Sequence, residues 1–458
     1  MDLPYLTPDF PGIGGAIKRR PEDFFVQELP LYEPSGDGEH VMAEVQKIDL
    51  TTFELVNRIG RALNVDPRDI GFAGMKDRNA ITRQLVSIPR VTEEAVMTMK
   101  VEGAQVMWAA RHGNKLRLGH LRGNRFAVKI RHVDPMTVVK LRPVLSVLET
   151  RGLPNYFGEQ RFGRRGDNDL LGAALVRGDN KQVLHLLLGN PQPGDLGNVH
   201  EARAAFDAGD FDRAMHRWPR SAGLERRILA RFAKTRRPGA TVRMIDYKLR
   251  NLWISALQSR LFNDVLAARV ESLDKLLPGE MAMKEDNGAC FHVADPAAEQ
   301  ARCDAWEISP TGPLIGYRLS LPTDAALAIE QGVFDKHGLK PDDFHKLGKD
   351  RAKGARRALR VKPTDIQLES GVDEHGAHVT VAFTLPAGSF ATVLLRELMK
   401  PERHEPPPED AAAGEGDASS EPEAEDSADM PESAEPTDEA ASASPPSHPL
   451  GAVDRDDD

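Results

Sequence analysis

Cysteine is nearly absent from this chain: Cys290 and Cys303 are the two among 458 residues. That is too few for a disulfide framework, and lone thiols fit a reducing compartment. His292 lies near Cys290, but no further ligands stand at metal-site spacing, so no metal is expected. Also missing is any apolar run approaching the ~20 residues that a membrane-spanning helix needs. The opening MDLPYLTPDF has neither a basic n-region nor an apolar h-region, so the expected location is cytoplasmic. No G-x-x-x-x-G-K-[ST] loop, H-E-x-x-H or paired C-x-x-C occurs, so nucleotide and metal chemistry lose ground. Gly12-Ile13-Gly14-Gly15 follows Pro11 without a clear strand before it, so it reads as a turn rather than a dinucleotide loop.

What is present is an ordinary globular composition, 40% hydrophobic and 28% charged, in a chain long enough for two or three cores. The net charge of −10 averages two unlike parts. Residues 401–458 hold 19 Asp and Glu against 2 Arg, a local balance of −17, so residues 1–400 carry +7. A basic folded part suits a polyanionic partner, because cations that neutralise phosphates release counterions. The acidic stretch is rich in Pro, Ala and Ser and has too little apolar surface to offset the entropy of ordering, so it is expected to be disordered. Solubility is its simplest role. Competition with RNA for the basic surface is a second.

Residues 38–50 alternate around Val41, Ala43 and Val45 as a half-buried strand would, and Thr51-x-x-Glu54 then forms a capping box. The helix so begun carries Leu55, Val56, Ile59 and Leu63 on one face, and Asp66-Pro67 marks its stop. Residues 71–84, GFAGMKDRNAITRQ, read as a charged, Gly-containing loop feeding a strand at 85–88. Near the other end Val379, Val381, Phe383 and Leu385 alternate with His378, Thr380, Ala382 and Thr384, the pattern of a hairpin strand. Pro386 and Gly388 end it, and Ser389 is placed to cap a helix carrying Val393, Leu394 and Leu398. The middle differs: Leu249, Leu252, Trp253, Ala256, Leu257 and Leu261 recur at helical spacing. The whole reads as an α+β core split by a helical insertion, with no internal repeat.

Two constellations can carry chemistry. Lys76-Asp77-Arg78 sets a carboxylate between two cations, which favours the ionised form that a nucleophile or base needs. The bland alternative is a solvated charge run. The segment NYFGEQRFGRR, from Asn155, mixes aromatics, amides and arginines including Arg161, a combination that stacks on unpaired bases and grips phosphates. Its alternative is a loop with aromatics in the core and arginines in water. Basic clusters also occur at Lys18-Arg19-Arg20 and at 111–125, 226–237 and 351–360. Each alone is a solvated face; together they suggest a stripe for RNA.

These segments resemble the TruD family of tRNA pseudouridine synthases over about residues 10–400. The blocks that carry the likeness are KRRPEDFFV from Lys18, GEHV from Gly38, GFAGMKDRNAITRQ from Gly71, KLRLGHLRGNRF from Lys115, NYFGEQRFG from Asn155, ALQSRLFN from Ala256 and LPAGSFATVLLREL from Leu385. The resemblance implies a pseudouridine synthase core, a mixed β-sheet with flanking helices, made of residues 1–154 and 361–400. A helix-rich insertion domain of the family would occupy 155–360, and RNA the cleft between them.

The resemblance further implies that Asp77 is catalytic, that Phe24, Asn124 and Phe390 contact the target uridine, and that Lys18 pairs with Asp77. Lys76, Arg78, Asn155 and Arg161 would support the site. A base detached from its ribose needs stacking and edge hydrogen bonds, and an Asn can both donate and accept. The implied target is uridine 13 in the D-arm of tRNA, with no cofactor and no metal; no protein partner and no membrane are indicated. The stretch 170–248 is longer than in the shorter bacterial members, and the acidic tail is extra. Two other classes stay open: a non-catalytic RNA-binding or RNA-folding protein on the same scaffold, and a tRNA methyltransferase, which would need a glycine-rich cofactor turn not seen here.

Overall fold

The computed structural model describes residues 3–350 and 352–400. The acidic segment 401–458 lies outside the described residues. Eight strands form the main sheet: β1 (Phe24–Pro30), β2 (His40–Ile48), β3 (Gly71–Phe72), β4 (Ile81–Pro89), β5 (Ala104–His112), β6 (Leu121–Arg131), β7 (Thr364–Asp373) and β8 (Gly376–Pro386). Their order is β7-β8-β6-β1-β4-β2-β5, with β3 also on β4. The β1–β4 pair is parallel and the other pairings are antiparallel, so the sheet is mixed.

Alternation along the strands builds the core. Phe24 and Val26 of β1, Phe126, Val128 and Ile130 of β6, and Val379, Val381, Phe383 and Leu385 of β8 turn to one face. There they pack with residues of the helices Val138–Arg151 and Ala391–Met399. The rings of Phe126 and Phe383 stack with centroids 5.2 Å apart, and burying one such side chain contributes roughly 1.5–3 kcal/mol. A second cluster joins Val41, Ala43, Val45, Val86 and Ile88 to Leu55, Val56 and Ile59 of the helix Thr52–Leu63. That helix starts at the expected capping box, with Thr51 and Glu54 bonded reciprocally.

Three expectations need correction. β2 is not half-buried, because Met42 and Leu85 pack under Leu116, Tyr32 and Trp108 on its second face. The helix Ala391–Met399 is not capped by Ser389: Phe390 holds the N-cap position, and the Ser389 hydroxyl is buried without a partner. The cluster at 351–360 is not a solvated face, since Arg356, Arg357 and Arg360 are all buried. Arg356 pairs with Glu330 at 2.6 Å, and Arg360 donates to the carbonyl oxygens of Arg151 and Cys303.

Between the two portions of the main sheet the chain forms helices, among them Asn168–Val176, Asn180–Leu188 and Gly223–Thr235, and a four-stranded sheet that includes Ile308–Leu314. The long helix Tyr247–Arg269 is the spine. Trp253 enters one cluster, Ile254, Leu257 and Leu261 another, and Phe262 and Leu266 the core beneath the main sheet. Apolar residues therefore occupy several sides of this helix, as expected for one surrounded by protein. The chain leaves and re-enters the main sheet's vicinity side by side, Pro154 pairing with Arg360 and Leu153 with Val361. Among the described residues no helix is long and apolar enough to cross a membrane, and none of the His, Cys, Asp and Glu groups is arranged to hold a metal.

Candidate active site

The loop that carries Asp77 is anchored from below by groups on three elements. Lys76 donates its backbone N–H to Thr52 Oγ1 at 3.0 Å, and that hydroxyl donates to Gln84 on β4. The Lys76 ammonium turns inward to Glu28 on β1, 2.6 Å away, and both side chains are almost fully buried. The other Glu28 oxygen accepts the Leu85 N–H at 3.3 Å. Gly74 passes so close to this pair that an added Cβ would lie 2.9 Å from Lys76 Nζ. Lys47, fully buried on β2, donates to the carbonyl oxygens of Asp77 (2.9 Å), Lys76 (3.4 Å) and Leu50. Burial pushes the Lys47 amine down to about 8, against the raising effect of Asp77.

Above this base the Asp77 side chain is 44% exposed, and its Oδ2 accepts from the Lys18 ammonium. Lys18 takes a left-handed backbone (φ 55°) and sits 4.4 Å from the centre of the Phe24 ring. The two sequence neighbours do not flank the carboxylate as the triplet suggests. Lys76 is spent on Glu28, and Arg78 turns away to Asp49 at 3.3 Å and Glu54 at 3.8 Å. The cation on Asp77 comes instead from 59 residues earlier in the chain.

Strand register brings the next candidate alongside. Asn124 on β6 stands opposite Glu28 on one side and Leu385 on the other. Its Oδ1 is buried with no hydrogen-bond partner, a costly state that a donor on a ligand would relieve. Just past Leu385 the chain reaches Phe390, whose ring lies 6.0 Å from that of Phe157. Phe24 is buried at 3% exposure beneath Lys18, whereas Phe390 is partly exposed.

The remaining candidates, Asn155 and Arg161, gather around Arg357, which the sequence placed only within a solvated basic cluster. Arg357 is buried and donates to the carbonyl oxygen and Oδ1 of Asn155 and to the Gly388 carbonyl oxygen at 2.8 Å. It covers the Phe157 ring at 4.3 Å. Burial, and then the Arg161 charge, hold its guanidinium below the usual range. Arg161 donates to Ser255 and Ser259 on the spine helix. Tyr156, Phe157 and Phe162 are buried, so these aromatics belong to the core and not to a base-stacking surface. Asp77 with Lys18 and Phe24 thus forms one group, joined through Glu28 to Asn124, and Phe390, Asn155 and Arg161 form a second at the end of β8.

Glu28 and Lys47 were missed as well, although each leaves a trace. Glu28 continues the inward series Phe24, Val26, and Lys47 continues Val41, Ala43, Val45. A charge at the end of an apolar alternation is the available signal.

The family model for tRNA pseudouridine synthase D matches residues 1–398. The chain belongs to the TruD family. Curated members with this name include one from Geotalea daltonii, 43% identical over 400 residues, with 87% of this chain and 99% of that protein covered. Another from Geobacter metallireducens is 42% identical over 399 residues, covering 86% and 97%. A crystal structure described as TruD from Methanosarcina mazei superposes with a TM-score of 0.76 at 27% identity, over 87% of this chain and 99% of that one. This TruD member is a tRNA pseudouridine synthase, an isomerase, and the match runs through both the main sheet and the helical portion. The stretch 170–248 lies within the matched residues.

Proposed function

We propose that this enzyme converts a uridine of tRNA, uridine 13 of the D-arm, to pseudouridine with Asp77 as the catalytic carboxylate. The observation that carries the reading is the loop itself: a solvent-reachable carboxylate on a backbone clamped by Lys47 and by the buried Lys76–Glu28 pair. Rigid placement is what a catalytic group needs, since reacting atoms must be held in a near-attack geometry. The reaction breaks the bond from N1 to C1′, turns the uracil and joins C5 to C1′; C5 gives up a proton as N1 gains one, so nothing outside is consumed. Asp77 attacks C1′ or takes a proton from C2′. Lys18 pairs with the carboxylate before substrate arrives. The partly exposed Phe390 supplies a face for the detached uracil, Phe24 offers its ring once the Lys18 ammonium above it moves off Asp77, and the unsatisfied Asn124 Oδ1 accepts from the uracil edge. Lys76, Arg78, Asn155 and Arg161 hold the surrounding backbone.

In the same reading, residues 1–154 and 361–400 are the catalytic core and 155–360 the insertion, with RNA in the cleft between them. The paired crossing at Leu153–Pro154 and Arg360–Val361 supports those boundaries. The test is incubation with unmodified tRNA transcripts and mapping of pseudouridine by carbodiimide-dependent primer extension. Pseudouridine at the D-arm position is expected from the wild type, and none from Asp77→Ala or Asp77→Asn, with tRNA affinity largely kept. Normal turnover by either variant would sink the assignment.

A further inference from the structure

A cavity of about 450 Å³ that shares no lining residue with the Asp77 group is lined by Tyr32, His112, Asn114, Lys115, Arg117 and His120. Its size falls in the range of ligand pockets, roughly 300–1,000 Å³. No carboxylate lines it, and two of its six residues are permanent cations while two more are imidazoles. His112 is buried at 7% exposure. Its Nδ1 accepts the Ser35 N–H at 3.3 Å, so the neutral ring carries its proton on Nε2. That Nε2 is buried without a partner and is a donor waiting for an acceptor. The Tyr32 ring lies 5.2 Å from that of His112 at 17° to parallel, and its hydroxyl bonds to His120 at 2.8 Å, which makes a fixed aromatic wall. Lys115 spends one ammonium proton on the Arg68 carbonyl oxygen and has two left; Arg117 is exposed.

The cavity is tied to the catalytic loop. Gly119 donates to the Ala73 carbonyl oxygen at 2.9 Å, and an added Cβ on Gly71 would lie 2.4 Å from the Leu116 carbonyl oxygen. Ala73 is four residues before Asp77, and a chain of that length spans at most about 14 Å. Cationic donors, an aromatic wall and an amide are the set that holds a phosphate and an unpaired base together.

We infer that this cavity is a second RNA subsite, taking one unpaired nucleotide of the substrate: its phosphate on Lys115, Arg117 and His112 Nε2, its base along Tyr32 with Asn114 at the edge. The inference rests on the RNA-modifying reading of the chain. It positions the RNA strand relative to Asp77 without touching the reacting uridine.

The experiment compares the full-length wild type with Arg117→Glu and Asn114→Asp, both on an exposed loop where neither change removes packing. Steady-state kinetics on a tRNA transcript and the salt dependence of tRNA binding are the readouts. The expected result is a KM raised about tenfold with kcat much less affected, and a log affinity against log salt slope reduced by about 1 in the Arg117 variant. A wild type that forms pseudouridine, with variants of unchanged KM and slope, overturns the subsite and leaves the synthase reading standing. A wild type that forms none, yet loses tRNA affinity in both variants, overturns the synthase reading and keeps the subsite. Inorganic phosphate or uridine monophosphate displacing tRNA at micromolar concentration identifies a small-molecule site instead and overturns the inference.

Discussion

Replacing Lys47 by methionine separates the geometry of the Asp77 loop from its charge. The amine sits fully buried and gives its protons to three carbonyl oxygens, two of them on Lys76 and Asp77. Burial moves its pKa from 10.5 to about 8, and each unit is worth about 1.4 kcal/mol, so keeping the charge inside costs roughly 3 kcal/mol near neutral pH. Methionine removes that cost but strips three carbonyl groups of their donor, at about 1 kcal/mol each. The two effects nearly cancel, and the urea-derived stability at pH 7 should change by less than about 2 kcal/mol. Activity should not survive so well: releasing the Asp77 backbone by even an ångström costs on the order of 100-fold in rate, so kcat is expected to fall ten- to a hundredfold while tRNA affinity holds. The pH dependence has a definite sign. The unfolded chain keeps this proton up to about 10.5 and the folded one releases it at about 8, so between those values the unfolded state binds more protons and stability rises with pH. The wild type should therefore gain up to about 3 kcal/mol on Lys47→Met across pH 8 to 10.5. A kcat within twofold of wild type, or a stability difference flat over that window, would refute the reasoning.

Other perturbations test neighbouring parts of the site. Glu28→Gln leaves the buried Lys76 ammonium without its carboxylate, and a loss of about 3–5 kcal/mol in urea unfolding is expected; a wild-type midpoint would mean that the pair is not a structural unit. Arg357→Met removes the donors that hold Asn155 and the Gly388 carbonyl oxygen, so amide exchange at 387–390 should quicken and KM for tRNA rise severalfold. Unchanged exchange there would show that Arg357 does not hold the Phe390 segment. Gly74→Ala pushes a methyl against Lys76 Nζ and Glu28, and kcat should drop at least tenfold with the sheet intact by circular dichroism.

Local signals were legible in the sequence. The Thr51–Glu54 capping box, the alternation from Val379 to Leu385 and the helical spacing from Leu249 to Leu261 each depend on neighbours within a few residues, and each element is present. Of the residues that the family blocks single out, Lys18 pairs with Asp77, and Asn124 stands opposite Glu28, the partner of Lys76. Partnerships set by register were not legible. Whether Lys76 or Lys18 meets Asp77 depends on β1 lying parallel to β4, and Lys47 reaches the loop across 30 residues. The arginines at 356, 357 and 360 look solvated because their partners, Glu330 and backbone carbonyl oxygens, come from elements that only folding brings near. Ser389 matches the residue preference for a cap, but the turn places Phe390 there.

The adjacency of β6 and β8 has a consequence for biogenesis. Arg131 on β6 is bonded to Asp373 in the last hairpin, 242 residues later. At about 5–20 residues per second, translation needs roughly 12–50 s to deliver that partner. For that interval one edge of β6 must wait on the ribosome with its N–H and C=O groups unpaired, which is the form of strand that recruits other chains. The helical portion is synthesised in the gap, so slow or stalled translation of residues 155–360 should raise the yield of insoluble protein more than the same delay placed after residue 386.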